Sequence, residues 1–139
     1  MRGVRDKVYS AWKEGKPPSP AIATLGIRVH NIEESKAVLE MDVDEHLHNL
    51  SGTMHGGVMV DIADAAMGIA VASTLKEDED MTTIELKMSF MRPHIKGQLV
   101  AEGTIAKRGR RIAFTEAVLK NVKKEVVAKC SGTWLIMPV

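Results

Sequence analysis

The chain has 139 residues, with 19 Lys and Arg against 18 Asp and Glu, giving a formal net charge of +1. At that length it is one domain able to bury about two-thirds of its unfolded surface. The near balance of charge argues against a general nucleic-acid binder and leaves room for no more than a local basic patch. The single cysteine, Cys130, excludes an intrachain disulfide and suits a reducing cytosol, so a cytoplasmic protein is expected. No apolar signal-peptide core, repeat, low-complexity tract or zinc-type Cys/His spacing interrupts the chain.

Residues 1–14 carry a helical pattern with Val4, Val8, Ala11 and Trp12 on one face, and residues 15–20 end it because Pro17, Pro18 and Pro20 cannot continue a helix. Residues 1–25 therefore read as an appended amphipathic helix and a stiff Pro-rich linker, and residues 26–139 as the main domain. Residues 26–32 and 35–43 predict two strands joined as a hairpin at Glu33 and Glu34. In the second, Ala37, Leu39, Met41 and Val43 compete with Val38 for the inward face, which leaves the register open. Residues 44–48 are polar. His46, His48 and His55 lack a Cys or carboxylate at ligand spacing, so no metal is expected.

From Asn49 the chain turns through Ser and Gly and becomes a nearly all-apolar run of helical length, ending near Leu75. Val, Met, Ile and Ala on every side describe a helix buried all round. A membrane span is disfavoured, because a mid-helix Asp costs roughly 2.5–3.5 kcal/mol in a bilayer and this run holds both Asp61 and Asp64. Gly56 and Gly57 suit a bare backbone that something can approach, at the end of a helix where free N–H groups and partial positive charge collect. A buried carboxylate needs a partner or a chemical task. A core helix whose aspartates bond to neighbouring loops is the plain alternative.

The run Lys76-Glu77-Asp78-Glu79-Asp80 reads as a solvated turn. In residues 82–91, strict alternation puts Ile84, Leu86, Met88 and Phe90 on one face and Thr83, Glu85, Lys87 and Ser89 on the other. Residues 99–107 and 111–121 pair around Gly109, and residues 125–137 close the series. One long helix followed by consecutive strands predicts an α+β fold, an antiparallel sheet wrapped around a central helix.

The spacing Asn49-x5-His55-Gly56-Gly57-x6-Asp64 resembles the hotdog-fold acyl-CoA thioesterases, in particular their PaaI-like (phenylacetate-type) branch. Residues 83–93 and 107–116 resemble the same pattern, and the likeness covers the chain from about Gly26 to its end. The resemblance implies a hotdog fold that hydrolyses acyl-CoA, with coenzyme A entering as part of the substrate and no separate cofactor. It implies Asp64 as base or nucleophile, Asn49 and His55 as residues that orient the thioester or the loop, and Thr83 as a hydrogen-bond partner of the attacking water. Gly57, Phe90, Arg92, Pro93, Lys107, Arg108, Gly109, Arg110 and Arg111 are placed by it along the coenzyme A path. Physically, Arg108, Arg110 and Arg111 offer guanidinium forks to phosphates and Gly109 lets the backbone come close, though a solvated hairpin tip has the same composition. Asp61 does not match the family acid.

A thioester needs an oxyanion donor and a carboxylate, since its thiolate leaves readily. The Gly56 N–H at the helix start fits the donor. Gly56 and Asp64 are eight residues apart, about 12 Å along one helix, so one chain cannot easily bring both to one carbonyl. Two chains with antiparallel helices can, which makes a homodimer the expected unit, as the family also implies, with a homotetramer beyond it and neither nucleic acid nor membrane as partner. Hotdog hydratases or dehydratases and a non-catalytic acyl-CoA sensor are the competing readings.

Overall fold

A computed structural model describes residues 3–139; Met1 and Arg2 of the predicted first helix lie outside the described residues. The helix α3, Gly56–Ala72, is the axis of the molecule. Six strands wrap it: β1 Arg28–Glu33, β2 Lys36–Val43, β3 Glu79–Phe90, β4 Gly97–Arg108, β5 Ile112–Lys120 and β6 Val126–Pro138. They form one antiparallel sheet in the order β1-β2-β4-β5-β6-β3, which leaves β1 and β3 at its margins. This is the α+β hotdog arrangement that the sequence predicts.

Two glycines let the helix sit close to the sheet. A Cβ at Gly103 of β4 would lie 2.5 Å from the Ala66 carbonyl, and one at Gly68 would lie 2.9 Å from the Trp134 ring. Ala37, Leu39 and Met41 are fully buried beneath α3, which settles the register of β2 and leaves Val38 on the half-buried outer face. Leu99, Ala101, Ala117, Leu119 and Trp134 complete the core from the other strands.

At the N-terminus, α1 spans Val4–Lys13 and buries Val8. The linker is not merely stiff, because Pro20 opens a second short helix, α2, Pro20–Thr24. A proline cannot continue a helix but suits its first turn, and Ser19 caps this one by accepting from the Ile22 N–H.

Two further expectations change. The charge run after α3 is only partly a solvated turn: Glu79 already belongs to β3, is 16% exposed, and pairs with Arg108 at 2.7 Å. In β3 the alternation breaks at a bulge between Thr83 and Glu85. One extra residue resets the faces. Met81 and Thr83 point inward before it and Leu86 and Met88 after it, while Ile84 and Phe90 are 52% and 56% exposed.

Candidate active site

The loop before α3 is shaped by Asn49. Its Oδ1 accepts from the Ser51 and Thr53 N–H groups at 2.9 and 3.2 Å, and its Nδ2 donates to Thr53 Oγ1 at 3.0 Å. Of the two roles expected for it, orienting a thioester or the loop, the loop role is the one its bonds display. The far end of the loop is pinned by backbone bonds from Met54 N–H to the His94 carbonyl and from His55 N–H to the Leu47 carbonyl. His94, buried and paired through Nε2 with the Gly97 carbonyl, props this loop. Nothing in the sequence spacing marks it.

His55 caps α3: its Nδ1 accepts the Gly57 N–H at 3.0 Å. That bond fixes the Gly-Gly turn. The Gly56 N–H, by contrast, has no acceptor among the described residues. It is an open donor at the positive end of a 17-residue helix, the electrostatics an oxyanion requires. In front of it lies a cleft of about 380 Å³ that includes Asn49, Gly56, Met59, Phe90, Arg92 and Pro93. A Cβ at Gly56 would come within 3.0 Å of the Phe90 ring tip, so the glycine keeps this approach bare. Arg92 faces the cleft while holding Glu125 at 3.0 Å.

Asp64 is half-buried further along α3, and Thr83 Oγ1 donates to its Oδ1 at 3.0 Å. The bulge in β3 is what turns Thr83 toward the helix. Burial pushes the Asp64 carboxyl above the usual carboxylate range; the Thr83 bond opposes that shift and the charge of Asp61 adds to it. Thr83 thus touches the carboxylate directly, in addition to any bond its other lone pair makes to water. Asp64 and Thr83 do not line the cleft at Gly56. Cys130 is buried and its thiol is pushed up to about 11, first by burial and then by the charges of Asp64 and Glu85, so it is a packed, neutral thiol.

The basic hairpin divides. Arg108 donates to Glu79 at 2.7 Å, to Thr74 Oγ1 at 2.9 Å and to the Gly109 carbonyl, which occupies its guanidinium within the protein. Gly109 closes the turn against Ile112, and a Cβ there would lie 2.7 Å from the Ile112 carbonyl. Lys107, Arg110 and Arg111 are exposed, and their side chains hold no ion pair among the described residues. Arg110 and Arg111 line a shallow depression with Asp78, Glu79, Ile136 and Met137. Through Thr74 this hairpin is tied to the C-terminal end of α3, so within one chain it lies a helix length from Gly56. Among the described residues, no helix is long and apolar enough to cross a membrane.

Three comparisons bear on this geometry. The family model described as the thioesterase superfamily matches residues 51–128, from the loop before α3 into β6. The chain is 32% identical to SSO2140 of Saccharolobus solfataricus over 81% of its own length and 80% of that protein. It is 26% identical to the 1,4-dihydroxy-2-naphthoyl-CoA hydrolase of Listeria monocytogenes over 78% of its length and 89% of that enzyme. Among solved structures, the Escherichia coli PaaI protein from the phenylacetic acid degradation operon superposes with a TM-score of 0.84 at 21% identity, covering 96% of this chain and 93% of that one.

Proposed function

Because this chain belongs to the thioesterase superfamily, we propose that it cleaves acyl-CoA thioesters to a free carboxylic acid and coenzyme A. The observation that carries the reading is the pairing of two features on one helix: an unclaimed Gly56 N–H at its start and a half-buried Asp64 held by Thr83. The N–H receives the negative charge that develops on the thioester oxygen. Such a donor typically contributes roughly 2.7–4 kcal/mol to the transition state. Asp64, made a stronger base by burial, either takes a proton from water as it adds to the carbonyl carbon or adds itself, forming an anhydride that water then opens. In both cases the C–S bond breaks and the coenzyme A thiolate leaves, to be reprotonated.

The two features are too far apart along α3 to meet at one carbonyl, so the reading places the complete site between two copies of the chain with antiparallel α3 helices. The same arrangement carries the hairpin of one copy toward the Gly56 cleft of the other. There Arg110 and Arg111, the free arginines, are the ones available to coenzyme A phosphates.

The test is thiol release across an acyl-CoA panel by wild type and Asp64→Asn. Wild type should release thiol, and the variant should lose about 10²–10⁴-fold in kcat while still binding coenzyme A. Hydration of an enoyl-CoA without thiol release would establish a hydratase instead, and tight binding without turnover a sensor. Near-native activity of Asp64→Asn would remove Asp64 from its role.

A further inference from the structure

The helix α3 is uncovered only in its first half. Gly57 and Asp61 are exposed and Asp64 and Ala65 half-buried, whereas every residue from 66 to 72 is buried. Asp61 lies within about 60° of both Gly57 and Asp64 around the helix, so these residues form one strip. If a second copy brings its Gly56 to this Asp64 through a two-fold axis, positions that face each other are centred midway between 56 and 64, at residue 60. Asp61 is then the charged side chain of the strip nearest the axis. It is also one turn from Asp64, at the i, i+3 distance of about 5–6 Å.

We infer that Asp61 is a positioning residue of the thioesterase, whose carboxylate meets the partner's Asp61 at the two-fold axis and acts on each Asp64 through charge. This rests on the two-copy site proposed above. The groups facing Asp64 from its own chain make the effect one-sided. On α3 there is Asp61 itself; from β3 comes the Thr83 hydroxyl; from β6 comes the neutral Cys130 thiol, on which the charge of Glu85, just past the bulge, acts in turn. Among the described residues, none of these is a cation. The second copy brings the partner's His55 toward the same carboxylate. With negative charge beside it, Asp64 resists ionisation and is a stronger base once ionised. Two like charges at the axis also weaken the assembly on which the site depends.

The experiment compares wild type, Asp61→Asn and Asp61→Glu in the pH profile of kcat/KM at low ionic strength. Carboxyl ¹³C titration of Asp64 and sedimentation equilibrium follow the same proteins. Removing the charge should move the acid limb to lower pH. Below the limb, Asp61→Asn should then keep about threefold more of its plateau activity than wild type, the factor expected for one charge at this distance in a largely aqueous setting. Asp61→Glu should follow wild type, which a purely steric role would not require. The Asp64 carboxyl should titrate at lower pH in the Asn variant, and its dimer should be tighter. An acid limb and a carboxyl titration unmoved by Asp61→Asn would overturn the inference, and an unchanged dimer constant would overturn the placement at the axis. A wild type that releases no thiol would sink the hydrolase reading alone, because the carboxyl titration decides the role of Asp61 without turnover.

Discussion

Asp64 is a carboxylate kept where it costs stability. Its folded-state carboxyl lies above the ordinary range, chiefly through burial. Its ionisation therefore opposes folding: the cost is absent below the unfolded carboxylate range, grows as pH rises through the window between the unfolded and folded values, and is constant above it. Asp64→Asn removes that cost and keeps an acceptor for Thr83. It should melt higher than wild type at neutral pH, and the difference should shrink as pH falls below the ordinary carboxylate range. About 1 kcal/mol moves the Tm of a domain this size by roughly 4 °C, so a gap of a few degrees is readable in a pH series of melts. A gap that widens in acid would contradict the assignment. Composition placed Gly56 at a helix start and two carboxylates, Asp61 and Asp64, in apolar surroundings; only the family spacing singled out Asp64 between them. Thr83 entered the sequence reading only through the family pattern, as a partner of water; its bond to Asp64 was not legible, since that contact depends on a bulge. His94 was not legible, because its task is to hold a loop through its backbone carbonyl, which any residue possesses.

At the scale of elements, the sheet's closeness to α3 is set by Gly103. A Cβ there meets the backbone of Ala66 at 2.5 Å, and backbone cannot rotate aside. Gly103→Ala should cost about 3 kcal/mol in denaturant unfolding, the upper end of what overpacking costs. A loss under about 1 kcal/mol would mean that the helix can shift along the sheet. The basic hairpin makes a second test. Neutralising Arg110 and Arg111 should raise KM for acyl-CoA about tenfold with little change in kcat, and a pantetheine thioester lacking the nucleotide should be indifferent. Arg108→Ala should instead lower stability by about 1–3 kcal/mol, because Glu79, 16% exposed, is left without its partner. Equal KM effects from all three arginines would mean that Arg108 reaches the phosphates as well. Composition and alternation located the strands, and they located this hairpin. They did not divide its arginines, since Glu79 sits in an acidic run that looks solvated, nor did they show the bulge, since alternation on either side of it is intact.

At the scale of the molecule, the groups to which the proposed chemistry is assigned stand at separated stations along one chain. The open Gly56 N–H stands at one end of α3, Asp64 eight residues along, and the arginine hairpin beyond the far end, with the 17-residue helix spanning about 25 Å. The uncovered strip of α3 and the exposed apolar residues Ile84, Phe90 and Met91 on and beside the marginal strand β3 suit burial against a second copy. Complementation tests this directly. One parent is Asp64→Ala. The other is Gly56→Pro, which deletes the N–H itself: proline suits the first helical position, and His55 before it already has the extended backbone, φ −61 and ψ 129, that a following proline requires. The added Cβ meets the tip of the Phe90 side chain at 3.0 Å and no backbone, so rotation of that side chain relieves the contact. Each parent dimer lacks one component at both sites and should be inactive. Refolded together in equal amounts, about half the dimers are mixed, and each mixed dimer holds one site with both defects and one with neither. Activity should return to about a quarter of wild type. If native mass measurements show that mixed dimers form and activity stays at zero, the catalytic groups act within one chain and the antiparallel pairing of α3 helices is wrong.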